Sequence, residues 1–242
     1  DDIILLSASV SDLQHMIDIC LLEGSKLDIL FNSAKSCLFK VGQAFKDNIK
    51  PLKFGSHVLN WVDKLKYLGV FFLASKSLKV DSSSCIRKCY ASANAIFKRS
   101  QFVSEVVKLN LIESFVLPII TYAIEAFQLS SGQCRSLNVC WNNMFRKIFH
   151  FNQWESVKLL QCSCERLDFH RLFHLRKLSF TKKLFLNENA ILRKCATLSQ
   201  YNAEISSLYD IYDLSCTSSL STIYCNVHNV FKDICNSSDN NT

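Results

Sequence analysis

The spacing of hydrophobic positions changes partway along this chain. Up to about residue 80 the apolar residues form short runs that predict strands, and from about Ser82 onward they recur at the 3.6-residue spacing of helices. Only five Gly and two Pro are available to divide the 242 residues, which favours long helices over many strands. The pattern therefore predicts an α+β chain whose second part is helical.

In the first part the pattern predicts several strands and one helix. The predicted strands are Ile3–Leu6, Ser36–Val41, two arms of a hairpin over Leu52–Val58 around Gly55-Ser56, and Lys66–Leu73. Between the first two strands, Leu13, Met16 and Ile17 begin a helical repeat. Ser11 and Gln14 have the spacing of a capping box at the start of this helix, and Gly24 is predicted to end it.

In the second part the pattern predicts four helices followed by a tail. The helices are predicted over Ile86–Phe97, Val106–Phe127 with a kink at Pro118, Cys134–Phe149 and Leu167–Leu186, the last being basic and amphipathic. Beyond about Ser199 the sequence is rich in Ser, Asn and Tyr and its periodicity is weak. We therefore expect residues 200–242 to be an acidic and largely disordered tail.

Charge is distributed unevenly along the chain. Residues 85–200 hold 17 Lys and Arg against 7 Asp and Glu, whereas residues 201–242 hold 1 against 5. The first 84 residues are nearly balanced, with 10 against 9. A basic middle segment is typical of a module that contacts nucleic acid. The alternative is a helical bundle whose basic residues only keep its surface solvated.

Neither the cysteines nor the apolar runs indicate export or a membrane. Several of the twelve Cys, such as Cys20 and Cys89, fall on apolar helix faces, which predicts free thiols in a reducing cytoplasm or nucleus. The longest apolar stretch, Phe115–Ile124, is about half of the ~20 residues that a membrane span requires. We expect an intracellular protein without membrane contact, and a fragment whose parent extends before Asp1.

Two bare carboxylates, Asp1 and Asp2, stand before the predicted strand Ile3–Leu6. Polymerases need clustered carboxylates, because two divalent ions hold the attacking and leaving oxygens in line. Mg²⁺ prefers carboxylate oxygens together with water and substrate phosphate, so acidic residues at the tip of a strand suit it. An Asp-Asp pair is common in proteins, and the alternative interpretation is a solvated chain end.

Further segments follow this pair in an order that resembles the reverse transcriptases of non-LTR retrotransposons. Residues 1–7 (DDIILLS) resemble the end of the palm motif Tyr/Phe-x-Asp-Asp, residues 27–36 (LDILFNSAKS) the segment with Asn-x-x-Lys-Ser/Thr, and residues 66–70 (KYLGV) the primer-grip turn. Residues 115–125 (FVLPIITYAIE) resemble the Leu-Pro-x-x-x-Tyr-x-x-Glu helix of the thumb, and residues 141–149 (WNNMFRKIF) with Trp154 the aromatic-basic helix beyond it. The resemblance covers roughly residues 1–190 and is closest to jockey-like and other LINE-type elements.

The resemblance implies catalytic roles at the matched positions of the palm. Asp1 would be the metal-binding aspartate and Asp2 its supporting neighbour, and the other metal aspartate is expected on a palm strand before Asp1. Lys35 would act as the general acid toward the leaving pyrophosphate. The alternative for Lys35 is a surface lysine that closes a turn after Asn32.

The resemblance also implies contacts to the primer and to the template–primer duplex. The primer end would be held by Tyr67, Leu68 and Gly69, for which the alternative is a buried β-turn without primer contact. The thumb side of the duplex would be lined by Arg87, Lys88, Lys98 and Arg99, through phosphate contacts that carry no sequence preference. Charge alone suggests an extension of this surface by Arg146, Lys147, Arg171, Arg176, Lys177, Lys182 and Lys183.

We therefore expect the C-terminal part of a polymerase palm followed by a helical thumb. The expected divisions are 1–80 (palm with primer-grip hairpin), 81–150 (helical thumb), 151–199 (basic helical extension) and 200–242 (tail). The parent would carry out RNA-directed DNA polymerisation with two Mg²⁺ ions, an RNA template and a DNA primer, and the isolated chain would be inactive.

Two other functions fit the same residues. One is a non-enzymatic thumb remnant that only binds nucleic acid, and the other is a helical interaction protein without a nucleic-acid role. In the tail, a loose order of Cys216, Cys225, His228 and Cys235 resembles the zinc knuckle of some LINE proteins but lacks its tight spacing.

Overall fold

The computed structural model describes residues 3–197 and 199–239, and the chain forms two compact units, residues 1–81 and residues 82–242. Helix accounts for 55% and strand for 10% of the chain, so the fold is α+β as predicted. The strands all belong to the first unit. The expected divisions 81–150, 151–199 and 200–242 correspond to a single unit, residues 82–242.

The described part of the first unit contains one helix and seven short strands. They are α1 (Val10–Lys26), β1 (Leu38–Phe39), β2 (Leu52–Phe54), β3 (His57–Leu59), β4 (Trp61–Val62), β5 (Lys64–Tyr67), β6 (Val70–Leu73) and β7 (Lys79–Val80). β1 pairs with β4 in parallel, β2 with β3 antiparallel, and β5, β6 and β7 form an antiparallel sheet. The hairpin predicted around Gly55-Ser56 is confirmed, whereas the strand predicted over Ser36–Val41 is reduced to β1.

Helix α1 packs against the β2–β3 hairpin. Ile17 of α1 is buried in a small core with Leu52 and Leu59. The side-chain amide of Gln14 donates to the carbonyl of Lys53 at 3.0 Å and accepts the backbone N–H of Lys53 at 2.8 Å. The amide thus satisfies both backbone groups of an edge position that would otherwise depend on water.

The ends of α1 differ from the prediction. Ser9 caps the helix, its hydroxyl accepting a backbone N–H at 3.1 Å, and Ser11 does not. Gly24 does not end the helix either. A Cβ at position 24 would lie 2.6 Å from the ring of Phe31, so glycine is needed there for close packing. The residue that leaves the helix in the left-handed conformation is Asp28, with φ 56°.

Two of the predicted strands are wrong. Ile3–Leu6 belongs to no strand, and Leu6 is 82% exposed. A strand buried on both faces needs neighbours in a sheet, and the described residues provide none for it. Lys66–Leu73 is two strands, β5 and β6, because Leu68 and Gly69 both have positive φ, 45° and 80°. Two such residues in succession reverse the chain into a hairpin.

The described part of the second unit contains nine helices and one turn of 3₁₀ helix. They are α2 (Ser83–Arg99), α3 (Glu105–Phe115), α4 (Leu117–Ile120), the 3₁₀ turn Ile124–Ala126, α5 (Ser131–Phe149), α6 (Lys158–Ser163), α7 (Phe169–Phe185), α8 (Ala190–Cys195), α9 (Ser199–Ile211) and α10 (Leu220–Asp239). Helices α2, α5 and α7 confirm three of the four predicted helices, apart from their ends.

The long helix predicted over Val106–Phe127 is instead broken into α3, α4 and the 3₁₀ turn. Pro118 lies in the first turn of α4, where its missing N–H costs nothing, and Ala123 has φ 56°. By length and composition, Glu105–Ala126 is the one stretch of described residues apolar enough to cross a membrane. The breaks, and the burial of Ile112 in the largest core of the unit, favour a core segment over a membrane span.

The second unit has two hydrophobic cores. The first joins α2, α3, α4, α5 and the start of α7, around Trp141 and Phe145, whose rings meet edge to face at 5.2 Å. The second joins α7, α9 and α10. Residues 199–211 and 220–239 are therefore helical, contrary to the expectation of a largely disordered tail. Ile223, Val227 and Phe231 recur every four residues among Ser and Asn and form the buried stripe of α10.

Candidate nucleic-acid interface

The basic residues predicted to line a duplex are Arg87, Lys88, Lys98 and Arg99, and all four are exposed on α2. Arg87 and Lys98 are eleven positions apart, as are Lys88 and Arg99, which corresponds to three helical turns. They therefore form two parallel rows, each with its charges about 16 Å apart at 1.5 Å per residue. The face between them consists of small exposed residues, Ala91, Asn94 and Ala95.

Three long helices of the second unit contain no carboxylate, whereas α3, which also packs against α2, carries Glu105 and Glu113. Helices α2, α5 and α7 contain twelve Lys and Arg and no Asp or Glu. Acidic side chains normally alternate with basic ones on a helix that is only solvated, because opposite charges one turn apart stabilise it. Their absence leaves the exposed cations of α2 with no acidic neighbour on the same helix, so this face is locally positive.

Helix α5 runs parallel to α2 and adds a further cation. Three side-chain contacts join the helices, and their partners advance along both chains together: Cys89 with Cys140, sulfurs 3.1 Å apart, Tyr90 with Asn143 at 2.9 Å, and Asn94 with Lys147 at 2.7 Å. The ammonium of Lys147 also lies 4.8 Å from the ring centre of Phe97. Exposed Lys147 is thereby held beside the small middle of the α2 face.

The inner side of α2 is uncharged. Burial raises the pKa of the Cys85 thiol to about 11, and a hydrogen bond with Cys140 together with burial raises the pKa of Cys89. All twelve cysteines lie in the described residues and all are free. Protonated thiols that pack in the core leave the charge of α2 entirely on its outer face.

Several other basic residues serve the fold rather than a surface. Arg146 donates twice to the carbonyl of Glu155 (3.1 and 2.9 Å), Arg171 pairs with Asp168 at 2.9 Å, Lys177 pairs with Glu204 at 2.5 Å, and Lys182 donates to the carbonyl of Cys216 at 3.0 Å. Lys177 is only 1% exposed, so it is not accessible to a ligand. Lys147, Arg176 and Lys183 remain exposed.

The helix dipole accounts for only half of the α2 charges. Lys98 and Arg99 lie in the last turn, where positive side chains stabilise the negative end of the helix dipole by roughly 0.3–1 kcal/mol. Arg87 and Lys88 lie in the first half of the helix, where the dipole provides no such stabilisation. Solvation of the surface and a bound polyanion along the whole face would each account for all four.

Among the residues assigned to the palm, Asp1 and Asp2 lie outside the described residues. Lys35 is exposed, in a turn that begins at Asn32. Its backbone N–H donates to the backbone carbonyl and to the side-chain oxygen of Asn32, both at 3.2 Å. This is the geometry of the turn-closing lysine, and it also leaves the ammonium open to solvent.

The predicted primer grip lies at the tip of the β5–β6 hairpin. Tyr67 is half-buried, while Leu68 is 61% exposed and Gly69 is exposed, so the turn is not the buried one considered as the alternative. Leu68 adopts the left-handed conformation, which costs a non-glycine residue about 1 kcal/mol. Exposed apolar residues under such strain concentrate at binding sites, which makes this tip a candidate contact.

Comparisons with protein-family models, with curated proteins and with solved structures found no match. The functional assignment therefore depends on the motifs and the geometry of the chain itself.

The part of the chain that the structure describes contains no group of three or more His, Cys, Asp or Glu side chains that could hold a metal. The four residues with a knuckle-like order do not converge. Cys235 is 1% exposed in the core with α7, whereas Cys216 and Cys225 are exposed, and the ring of His228 lies 4.2 Å from that of Tyr224.

Charge alone suggested that Lys147 extends the α2 surface, but the sequence did not predict that it contacts Asn94 of α2. The apolar rows of α2 and α5 predict that both helices pack in a core, but they do not specify which residues meet. The pairing of Asn94 with Lys147, fifty-three positions apart, depends on the parallel register of the two helices. The nearest signal in the sequence is the absence of carboxylates from both helices.

Proposed function

We propose that this chain is the C-terminal palm and thumb portion of a non-LTR retrotransposon reverse transcriptase, and that its helical unit binds the template–primer duplex. The observation that carries the binding function is the outer face of α2. It presents two rows of cations, small residues between them and Lys147 at its side. Such a face admits a phosphate backbone closely, and its contacts are independent of sequence.

Polymerisation itself is assigned by the order of the motifs along the chain. In this assignment Asp1 would bind a metal, with Asp2 as its supporting neighbour. When bound, two Mg²⁺ ions would neutralise the charge that develops on the transferred phosphate. Tyr67, Leu68 and Gly69 would contact the primer end.

A second candidate function is nucleic-acid binding without polymerase activity. The carboxylate-free helices favour it equally, since the same face would grip any duplex. Mg²⁺-dependent extension of a primer on an RNA template separates the two. We expect no extension by this chain alone, and extension that Asp1→Asn abolishes would instead assign catalysis to it.

The binding function is tested with the whole chain, an RNA–DNA hybrid and a DNA duplex of unrelated sequence over a salt series. We expect similar affinity for both and a steep fall with salt. Replacing Arg87, Lys88, Lys98 and Arg99 with Gln should reduce the slope of log affinity against log salt by up to about 4, roughly one for each phosphate that is no longer neutralised.

A matched variant removes the same charge elsewhere on the second unit. Its substitutions to Gln are at Lys158, Arg193, Lys194 and Lys232, all exposed and none on α2, α5 or α7. If both variants reduce the slope equally, the effect is one of net charge and the α2 face is not the site. Absence of binding by the wild-type chain at low salt would refute the binding function altogether and leave the helical interaction protein.

A further inference from the structure

The parallel register of α2 and α5 brings two loops with exposed aromatic rings to one end of the second unit. Residues 94 and 147 are in contact, and both helices then continue for only a few residues, to Arg99 and Phe149. The loop after α2 carries Phe102, which is 100% exposed, and the loop after α5 carries Trp154, which is 83% exposed. Both loops therefore begin at the same end of the basic face.

Each ring is exposed on a loop that neighbouring residues anchor to the fold. Trp154 precedes Glu155, whose carbonyl accepts two N–H bonds from the guanidinium of Arg146, and Val157 just beyond is 1% exposed. Phe102 stands in a five-residue connection between α2 and α3 whose first residue, Ser100, is 5% exposed. An aromatic ring on an anchored loop loses little entropy when it binds, which favours a ligand-contacting role.

The charges at this end select the kind of ligand. Lys98, Arg99 and Lys147 are exposed beside the two loops. Two carboxylates lie near this end as well: Glu105 is 4.0 Å from the ammonium of Lys108, and Glu155 accepts the backbone N–H of Asn152. With three exposed cations here in addition to Lys108, the local balance remains positive. Exposed rings next to cations match nucleotides that have unpaired bases, since each base offers a face for stacking and each phosphate a charge.

We propose that Phe102 and Trp154 form a stacking platform for unpaired bases where a single strand leaves the duplex bound along α2. This inference rests on the proposed duplex binding and adds a second class of ligand to it, the single-stranded extension of a hybrid. The α2 face holds the phosphates of the paired region, and the two rings take the first bases beyond it.

The test uses the full chain and two hybrids, one blunt and one with a single-stranded RNA extension that contains 2-aminopurine. We expect the extended hybrid to bind more tightly and its 2-aminopurine fluorescence to be quenched on binding. Replacing Phe102 and Trp154 with Leu should abolish the quenching and weaken binding of the extended hybrid roughly 5- to 100-fold, while the blunt hybrid binds as before.

Two control variants make the result specific for rings at this end. Phe102→Tyr with Trp154→Phe keeps both rings and should retain quenching and affinity. Phe115→Ala removes another exposed phenylalanine, 62% exposed, from the opposite end of α2, where Cys85 donates to the carbonyl of Ile119 at 3.0 Å, and it should change neither.

The outcomes separate the platform from the duplex site. If the Leu variant binds and quenches as the wild type does, or weakens both hybrids by the same factor, the platform is refuted while the duplex site stands. If the wild type binds neither hybrid, both fail. If the Leu variant loses association with anionic lipid vesicles and the wild type never quenches 2-aminopurine, the rings serve a membrane surface and the platform is likewise refuted.

Discussion

The ion pair between Lys177 and Glu204 offers the sharpest test of which basic residues belong to the fold. Lys177 on α7 is 1% exposed, its ammonium lies 2.5 Å from the Glu204 carboxylate of α9, and it donates to the carbonyl of Phe127 at 3.3 Å. Glu204 is 28% exposed. The Lys177 side chain is therefore less accessible to water than that of Glu204. Removing one charge or the other should reduce the free energy of unfolding by different amounts.

Glu204→Leu removes the carboxylate that pairs with the buried ammonium of Lys177. We expect a loss of about 3–5 kcal/mol in the free energy of unfolding of the second unit, the range for an uncompensated buried charge. Lys177→Met removes the cation from beside a glutamate whose side chain is 28% exposed, so we expect a smaller loss of roughly 1–2 kcal/mol. The double variant should lie within about 1 kcal/mol of the wild type, because an apolar pair of similar volume often replaces a buried ion pair without loss.

The assay is urea unfolding of the wild type, both single variants and the double variant, followed by far-UV circular dichroism. Lys177→Met should also leave the salt dependence of nucleic-acid binding unchanged, since its charge does not face the ligand. The reasoning is refuted if Lys177→Met costs more than Glu204→Leu, or if the two losses add in the double variant. If Lys177→Met reduced the slope of log affinity against log salt, this lysine would have to be assigned to the binding surface.

Two further predictions concern single residues. Burial and the charge of Arg171 lower the pKa of His174 to about 4 from 6.5, so between these pH values the unfolded chain binds a proton and the folded chain does not. The contribution of His174 to the free energy of unfolding should therefore be complete above pH ~6.5 and fall by about 3 kcal/mol toward pH ~4. His174→Gln should remove that part of the pH dependence in unfolding curves. Leu68→Asn should raise the unfolding free energy by about 0.5–1 kcal/mol, because Asn-Gly suits two positive φ angles, and Leu68→Ala should not; no gain from Asn would contradict strain at the hairpin tip.

The helices with regular apolar spacing were evident from the sequence. In α2 and α5 the apolar residues recur at i, i+3 and i+4, and a period of this kind requires only local geometry. The strands were less certain, because a short apolar run such as residues 66–73 has the same pattern whether it continues or turns back. There the positive φ of Leu68 and Gly69 decided for a hairpin.

Some features of the candidate site followed from the sequence, and others only from the tertiary structure. The sequence by itself established an α+β chain, a basic helix α2 with exposed charges, and an order of motifs that resembles a reverse transcriptase. The tertiary structure decided that Lys147 joins the α2 face, that Lys177 is internal, and that Phe102 and Trp154 lie on loops that begin at one end. Charge and periodicity are local properties, whereas the register between two helices depends on contacts of side chains far apart in the chain.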